Sequence, residues 1–156
     1  MKTILIAMAV LTVGSAAQAS VTAGAGKWSG SGTAFGQDGK AQGDYKIELV
    51  NILTSEHSIE TKGVITFPNG KTREFTQRMK DTGDKAFSIE TDDGKGGGYG
   101  LGEGMVIAYI QGANGQAVAI DIAFDGTNHD QYRCIVTVLE NGRAVRFLRE
   151  KLTRTQ

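Results

Sequence analysis

The side chains most often used for nucleophilic catalysis or metal binding are scarce in this chain, which has two histidines and one cysteine. A serine, threonine or cysteine nucleophile needs a neighbouring base, most often a histidine. His57 and His129 both lie in short polar segments between apolar runs, which predicts exposed turns. One thiol and two imidazoles are also too few for a structural zinc site of the usual type. The sequence therefore predicts no catalytic residue and no metal site.

Three further residues could carry a polar group inside the fold. Cys134 lies in an apolar run, where a lone cysteine is expected to pack as a small hydrophobic residue with no disulfide partner. Asp121 interrupts another apolar run, so it is either a buried carboxylate that needs a partner such as Arg133 or an outward-facing residue. Glu103, inside a glycine-rich run, leaves the same two alternatives open.

Turn signals divide the chain into runs that are too short for crossover helices between them. Asn-Gly and Asp-Gly pairs supply the positive φ angles of tight hairpins, and the runs between them read as strands. The spacing predicts an all-β, antiparallel up-and-down meander of eight to ten strands, closed into a barrel. The signals are Gly36–Gly39, Leu53–Glu56, Pro68–Gly70, Thr82–Asp84, Asp93–Gly96, Asn114–Gly115, Gly126–Asn128 and Asn141–Gly142.

Alternation of apolar and polar residues predicts which side chains face the interior of this barrel. A period of two gives one buried face and one solvated face. An aromatic and aliphatic lining suits a small apolar ligand, and a barrel of about eight strands can hold one. The predicted ligand-binding interior consists of Tyr45, Ile47, Leu49, Phe67, Phe75, Met79, Phe87, Ile89, Val118, Ile120 and Ile122.

Two rows of alternating glycines flank these strands. One row runs from Gly98 to Gly104, and the other, from Gly24 to Gly32, surrounds Trp28. Glycine at every second position lets a sheet bend, as barrel closure requires, or lets a ring or a backbone approach closely. We favour bending, and we treat Gly98–Gly104 as one face of a single strand that continues into Met105.

Three runs later in the chain are apolar on both faces: Met105–Ile110, Ala117–Phe124 and Cys134–Leu139. Both sides of this part of the sheet are therefore expected to avoid water. The pattern predicts a homodimer through the strands that contain Val106, Ala119 and Ile135. The alternative is that the alanines are simply small exposed residues.

The first nineteen residues have the pattern of a cleaved signal peptide. Lys2 is followed by an apolar run of about ten residues, too short to span a membrane, and by the small-x-small sequence Ala17-Gln18-Ala19. The sequence predicts cleavage after residue 19, a single domain over 20–156, and a periplasmic or secreted protein. Without Lys2, sixteen basic and seventeen acidic residues remain, with no basic patch, so no nucleic-acid partner is expected.

The segment Gly26-Lys27-Trp28-Ser29-Gly30-Ser31-Gly32 resembles the G-x-W opening of the calycin superfamily, which includes lipocalins, fatty-acid-binding proteins and nitrobindin-like haem barrels. The resemblance implies a lipocalin-like meandering barrel that holds an apolar ligand. It also implies that Trp28 packs near an arginine of the last strand and closes one end, with Arg146 or Arg149 in that role.

The resemblance leaves the ligand open. Haem in the nitrobindin-like barrels needs a well-placed histidine, and neither His57 nor His129 lies within a predicted strand, so no cofactor is expected and haem is the minority alternative. The preferred function is binding of a small apolar ligand inside an exported barrel. The alternatives are a protein-interaction module, inhibitor-like or structural, with a barrel filled by its own side chains, and a cofactor-free isomerase; an enzyme is the less favoured class.

Overall fold

The computed structural model describes residues 24–102, 104–125 and 130–156, and these form a closed barrel of ten antiparallel strands in up-and-down order. The all-β meander predicted from the turn signals is confirmed, at the upper end of the predicted strand count. The strands are β1 (Gly26–Gly36), β2 (Ala41–Ser55), β3 (Ser58–Thr66), β4 (Thr72–Gly83), β5 (Ala86–Thr91), β6 (Gly94–Gly102), β7 (Met105–Gly112), β8 (Gln116–Phe124), β9 (Gln131–Glu140) and β10 (Arg143–Arg154).

The barrel closes through β1, which pairs with β2 on one side and with the last strand, β10, on the other. Trp28 lies opposite Arg154 of β10, and Gly32 lies between Tyr45 of β2 and Glu150 of β10. Tyr45 and Glu150, which are far apart in the sequence, therefore lie on either side of Gly32 of β1. This closure brings the polar groups of the interior together.

Most hairpin turns lie at the sequence signals, although Leu53–Ser55 belong to β2 and Gly94–Gly96 belong to β6, so these two predicted turns were misplaced by a few residues. Asn114 and Gly115 both have positive φ, as do Asn141 and Gly142, which matches the twist that two-residue hairpins require. Between β4 and β5 the positive-φ pair is Asp84 and Lys85, at the end of the predicted Thr82–Asp84 signal. The predicted turn at 126–128 and His129 lie outside the described residues.

The glycine row Gly98–Gly104 does not belong to one strand, and this part of the prediction was wrong. The chain turns back between Gly102 and Met105, and these two residues pair across β6 and β7. Gly104 has a φ of 78°, a left-handed conformation that glycine adopts at little cost, so it belongs to the turn. The period-two spacing concealed this turn because Gly104 continues the alternation of the glycines before it. Glu103 lies outside the described residues.

The inward residues of the strands form one hydrophobic core. Of the eleven residues predicted to face the interior, nine are buried in it, and Phe67 and Phe75 are half-buried and pack against it. Cys134 is also buried in this core. Asp121 is exposed, so its outward-facing alternative is the correct one, and Val118, Ile120 and Ile122 of the same strand point inward.

The outer face of β6 to β9 carries several exposed large hydrophobic residues and few charges, among them Asp121 and Arg133, whereas that of β2 to β5 carries more charges beside the exposed Val50 and Ile52. Val106 itself points inward and is buried, so the outward residues of its strand are its sequence neighbours. The exposed large hydrophobic residues of this outer apolar face are Tyr99, Leu101, Met105, Ile107, Tyr109 and Ile135.

The part of the chain that the structure describes has no helix long and apolar enough to cross a membrane. The predicted signal peptide, residues 1–19, lies outside it.

Candidate functional site at the mouth of the barrel

The two ends of the barrel differ in their chemistry. At the Trp28 end, β1 begins and β10 ends. At the other end, called the mouth, β1 ends at Gly36, β2 begins at Ala41 and β10 begins at Arg143. The inward residues between the two ends are the core, so a small molecule reaches the interior through an end. A separate pocket of about 440 Å³ is lined by residues of β2 to β6, among them the outward-facing Arg78, Lys80 and Glu90.

The Trp28 end is closed by an interlocked set of contacts. The buried indole of Trp28 donates from Nε1 to the carbonyl oxygen of Gly24 at 3.1 Å, and Asn51 donates from Nδ2 to the same oxygen at 2.8 Å. The ring of Tyr132 packs edge-on against Trp28 with 5.5 Å between centroids. These contacts anchor the segment that precedes β1 across the end of the barrel.

The arginine that packs on Trp28 is Arg154, whose guanidinium carbon lies 4.8 Å from the ring centroid. The prediction that Arg146 or Arg149 takes this role was wrong. Arg149 lies over the ring of Phe35 at 5.2 Å, and Arg146 lines a pocket at the mouth. The reason is register: β1 and β10 are antiparallel, so a tryptophan near the start of β1 meets the end of β10.

The mouth contains a pocket of about 400 Å³. Its apolar surface comes from the rings of Tyr45 and Phe67, whose centroids lie 6.4 Å apart, together with Ala34 and a proline. Its polar surface comes from amide, carboxylate and guanidinium side chains. The residues that line this mouth pocket are Ala34, Gln42, Gly43, Asp44, Tyr45, Phe67, Pro68, Asn69 and Arg146.

Beneath the mouth pocket lies a buried carboxyl group. The hydroxyl of Tyr45 donates to Oε1 of Glu150 at 2.8 Å, while the ring of the same tyrosine lines the pocket. Glu150 is only 4% exposed. Tyr45 therefore connects the pocket to an ionisable group inside the barrel.

Gly32 makes this hydrogen bond possible. It lies on β1 between Tyr45 and Glu150, and a Cβ atom at this position would overlap the ring and hydroxyl of Tyr45. Because glycine has no side chain, the tyrosine ring lies across β1 and reaches the strand beyond it. At this position the glycine row of β1 serves the close approach of a ring, a use that the sequence analysis ranked below bending.

The carboxyl group of Glu150 is held in an unfavourable environment. Burial raises its pKa to about 7, and the hydrogen bond from Tyr45 opposes this shift only in part. Among the described residues no cation pairs with it, and its Oε2 has no hydrogen-bond partner. An unsatisfied buried polar atom costs about 1–3 kcal/mol, so the site carries a stability penalty.

Two more ionisable groups share this region on β9. Tyr132 is fully buried and its hydroxyl has no hydrogen-bond partner in the described part of the chain. Burial, with the nearby charge of Glu150, raises the pKa of the Tyr132 hydroxyl and that of the Cys134 thiol. Cys134 therefore stays a neutral thiol, as expected for a core cysteine, and Glu150 is the group of this region that titrates near neutral pH.

Glu150 was not among the residues predicted from the sequence, although the sequence contains a signal for it. Glu150 stands between Leu148 and Leu152 at the spacing of one strand face, and both leucines are buried. A carboxylate on the apolar face of a predicted strand indicates a charged group that points into the barrel. Of the residues predicted from sequence, the structure brings Tyr45 and Phe67 together at the mouth, and most of the others lie deeper in the core.

Comparison with known proteins identifies the fold. No family model matches this chain, and no curated protein matches it. The structure is similar to that of the S-type phycobiliprotein lyase CPES from Guillardia theta, with a TM-score of 0.64 and 8% identity over 85% of this chain and 88% of the lyase. It is also similar to Rv2717c from M. tuberculosis, with a TM-score of 0.63 and 13% identity over 85% of this chain and 92% of that one.

A third similar structure is a protein of unknown function from the DUF3598 family of Nostoc punctiforme, with a TM-score of 0.63 and 14% identity. The alignment covers 84% of this chain and 47% of the Nostoc protein, so this chain spans about half of that protein's length. At such low identities the likeness concerns the fold alone. The chain shares the up-and-down barrel fold of these structures, which is the fold that the resemblance of Gly26–Gly32 to the calycin opening implied.

Proposed function

We propose that this protein is an exported lipocalin-like barrel that binds a small apolar or amphipathic molecule, which enters at the mouth. The observation that carries the proposal is the mouth pocket, whose volume of about 400 Å³ falls in the range of small-molecule sites. Tyr45 and Phe67 supply an aromatic surface for the apolar part of the ligand. Contact between the ligand and the deeper residues of the predicted interior remains a prediction.

The contrast between the two ends of the barrel supports this proposal. At the Trp28 end the indole and Asn51 hydrogen-bond to one carbonyl, and Arg154 covers the ring. At the mouth, Arg146 and the amides of Gln42 and Asn69 surround an aromatic surface. Convergent polar groups around an apolar pocket are typical of ligand sites. One similar barrel is a phycobiliprotein lyase, so other proteins use this fold for a specific molecular function.

A pair of alanine-to-tryptophan variants tests the location of the site. Ala34 lines the mouth pocket, and Ala123 is exposed on the outside of β8. Calorimetric titration with octanol is expected to give similar dissociation constants for the wild type and for Ala123→Trp. Ala34→Trp, which fills the pocket, is expected to bind roughly tenfold more weakly or worse, a loss of about 1.4 kcal/mol. Equal binding by the two variants, with unchanged circular dichroism, would move the site elsewhere.

We also propose that a second copy of the chain covers the outer apolar face. Tyr99 pairs with Ile107 across β6 and β7, and Asp121 separates Ile107 from Ile135 across β8. These side chains lie on four adjacent strands around the exposed carboxylate of Asp121, and each partner of a standard interface buries roughly 800 Å². In an isologous dimer the same surface of both subunits forms the interface, so each of these side chains is buried in both copies.

The dimer is tested with two substitutions of similar chemistry. Ile135 is 47% exposed on the outer apolar face, and Val50 is 39% exposed on the outside of β2. Ile135→Glu is expected to give monomers in sedimentation equilibrium at micromolar concentration, while Val50→Glu stays dimeric. A monomeric wild type would exclude the homodimer and favour the alternative of a surface that binds a different protein.

Export is tested on protein purified from its own host. Cleavage after Ala19 predicts that the mature chain begins at Ser20 and is found outside the cytoplasm. Native mass spectrometry of that material gives the mass of the processed chain, its subunit count and any retained small molecule. An uncleaved chain in the cytoplasmic fraction would contradict the proposed export.

A further inference from the structure

The polar groups beneath the mouth pocket form an incomplete site. Glu150 accepts one hydrogen bond, from Tyr45, through Oε1, while its Oε2 has no partner among the described residues. The hydroxyl of Tyr132 is also without a partner there, and it lies on the strand that pairs with β10. Both residues are more than nine-tenths buried. Buried polar atoms are nearly always hydrogen-bonded, so two unpartnered oxygens in one region call for a missing group.

We propose that Glu150 binds the ammonium group of an amphipathic amine whose apolar chain occupies the mouth pocket. This inference rests on the proposed function, since it names the class of ligand for that same site. Tyr45 separates the pocket from Glu150, so its side chain rotates toward the mouth when the ammonium group reaches the carboxylate. The ligand thereby supplies the positive charge that Glu150 lacks in the described structure.

The chemistry of the unpartnered atoms favours an amine over other polar head groups. An ionised carboxylate only accepts hydrogen bonds, and a tyrosine hydroxyl oxygen can accept them too. An ammonium group has three donors and no acceptor, so it can satisfy the unpartnered oxygen of Glu150 and still donate to a second acceptor. A ligand carboxylate would place a second negative charge beside Glu150, which is unfavourable at low dielectric. A hydroxyl group offers one donor and no charge.

The affinity for the amine is expected to depend on pH. Tyr45 of β2 reaches Glu150 across β1 through its hydroxyl, Gly32 and Cys134 lie directly opposite Glu150 on the two strands paired with β10, and Tyr132 is two residues from Cys134 on β9. Burial raises the pKa of all three ionisable neighbours, so they stay neutral between pH 6 and pH 8. Glu150 has a pKa of about 7, and alkylamines stay protonated in this range. Amine binding therefore weakens as pH falls below 7, because protons compete for the carboxylate.

The test compares three probes with one eight-carbon chain: octylamine, octanol and octanoate. Calorimetric titrations at pH 8 are expected to show octylamine binding about tenfold or more tightly than octanol, with octanoate weakest; tenfold corresponds to 1.4 kcal/mol. Glu150→Gln keeps the size of the side chain and an acceptor for Tyr45. It is expected to abolish the preference for the amine, measured as the ratio of the octanol and octylamine dissociation constants of the same variant, which falls from about tenfold to about one.

A control variant and a second site variant complete the experiment. Glu74→Gln removes the same charge from an exposed position on β4, so it is expected to leave the amine preference intact. Tyr132→Phe keeps the ring that packs on Trp28 and removes the unpartnered hydroxyl, so it is expected to reduce the preference in part. If Glu150→Gln does not fold, the loss of amine preference in the wild type between pH 8 and pH 6 tests the same carboxylate.

The outcomes separate this inference from the proposed function. Octanol binding that Ala34→Trp weakens, together with equal or weaker binding of octylamine, would overturn the amine assignment and leave the mouth pocket as a ligand site. An amine preference that persists in Glu150→Gln or is unchanged at pH 6 would also overturn it. If none of the three probes binds to the wild type, the proposed function and the amine assignment both fail.

Discussion

The Trp28 end and the mouth are built on the same strands but satisfy their polar groups differently. At the Trp28 end, one carbonyl accepts from Trp28 and Asn51, and a guanidinium group covers the indole face. Near the mouth, Tyr45 donates a hydrogen bond to only one of the two oxygens of the buried Glu150 carboxyl group, and the space above Tyr45 is an open pocket. The first arrangement contributes stability, whereas the unpartnered carboxylate oxygen near the mouth costs stability.

From this difference we expect substitutions at the Trp28 end to change mainly the stability of the fold, and substitutions near the mouth to change mainly ligand binding. A change at the Trp28 end lowers the free energy of unfolding and leaves the mouth intact in the molecules that remain folded. A change at Glu150 raises that free energy while altering what the pocket binds.

The largest effect is expected from Trp28→Ala. Removing a fully buried indole leaves a cavity, and such truncations cost about 3–5 kcal/mol of unfolding free energy. Phe67→Ala at the mouth is the control, since this ring is only half-buried and its truncation is expected to cost clearly less. Urea unfolding followed by far-ultraviolet circular dichroism measures both. Equal losses would mean that the mouth is as tightly packed as the Trp28 end.

Glu150→Gln is expected to be more stable than the wild type above pH 7. Burial raises the folded-state pKa of Glu150 to about 7, above its usual value of 4.5, so the folded protein binds the extra proton. The associated stability is present below pH 4.5 and is lost as pH rises through 7, by about 3 kcal/mol at 1.36 kcal/mol per pKa unit. The difference in unfolding free energy between variant and wild type should therefore increase from pH 5 to pH 8. A constant difference would show that Glu150 has an ordinary pKa.

Gly32→Ala is expected to cost about 1–3 kcal/mol, the usual penalty for overpacking a tight site. The new methyl group would overlap the ring of Tyr45 and separate it from Glu150. In a Tyr45→Ala background the same substitution is expected to cost much less, which a double-mutant cycle of unfolding free energies detects. Ser31→Ala, at the exposed neighbouring position, serves as the control. Additive costs would mean that Gly32 matters for its backbone alone.

The smallest effect is expected from Arg154→Met, which keeps an apolar stem over Trp28 and removes the cation. The loss is expected to be about 0.5–1 kcal/mol, the range of exposed cation–π pairs. The same change at Arg149, which lies over Phe35, is the control for loss of a positive charge from β10. Only Arg154→Met should also shift the emission of the single tryptophan. A shift in both variants, or in neither, would argue against a specific Trp28–Arg154 contact.

The sequence was sufficient to predict the barrel because two local signals agreed. Asn-Gly turns marked the hairpins, and apolar alternation marked inward residues such as Ile47 and Ile89, which are buried. It failed at Gly104, because a turn glycine that continues a period-two glycine row looks like part of a strand. Local patterns predict faces and turns well, and they cannot distinguish a glycine that bends the chain back from one that continues it.

The candidate site was harder to predict because it depends on register between distant strands. Arg146 and Arg154 share the inward strand face of the buried Leu148, whereas Arg149 lies on the other face. Only the pairing of β1 with β10 selects Arg154 as the arginine beside Trp28. The contact between Tyr45 and Glu150 has the same origin, since it crosses β1 at Gly32. The alternation of apolar and polar residues could have placed Glu150 inside the barrel, but no local pattern identifies Tyr45 as its hydrogen-bond partner.

The central claim is that a ligand binds at the mouth and not at the Trp28 end. Isotope-filtered NOE spectroscopy on labelled protein with unlabelled octanol tests this claim most directly. We predict intermolecular NOEs from the octanol chain to the ring protons of Tyr45 and Phe67, with none to Trp28. NOEs to Trp28, or to Ile107 and Ile135 on the outer apolar face without any to Phe67, would contradict it.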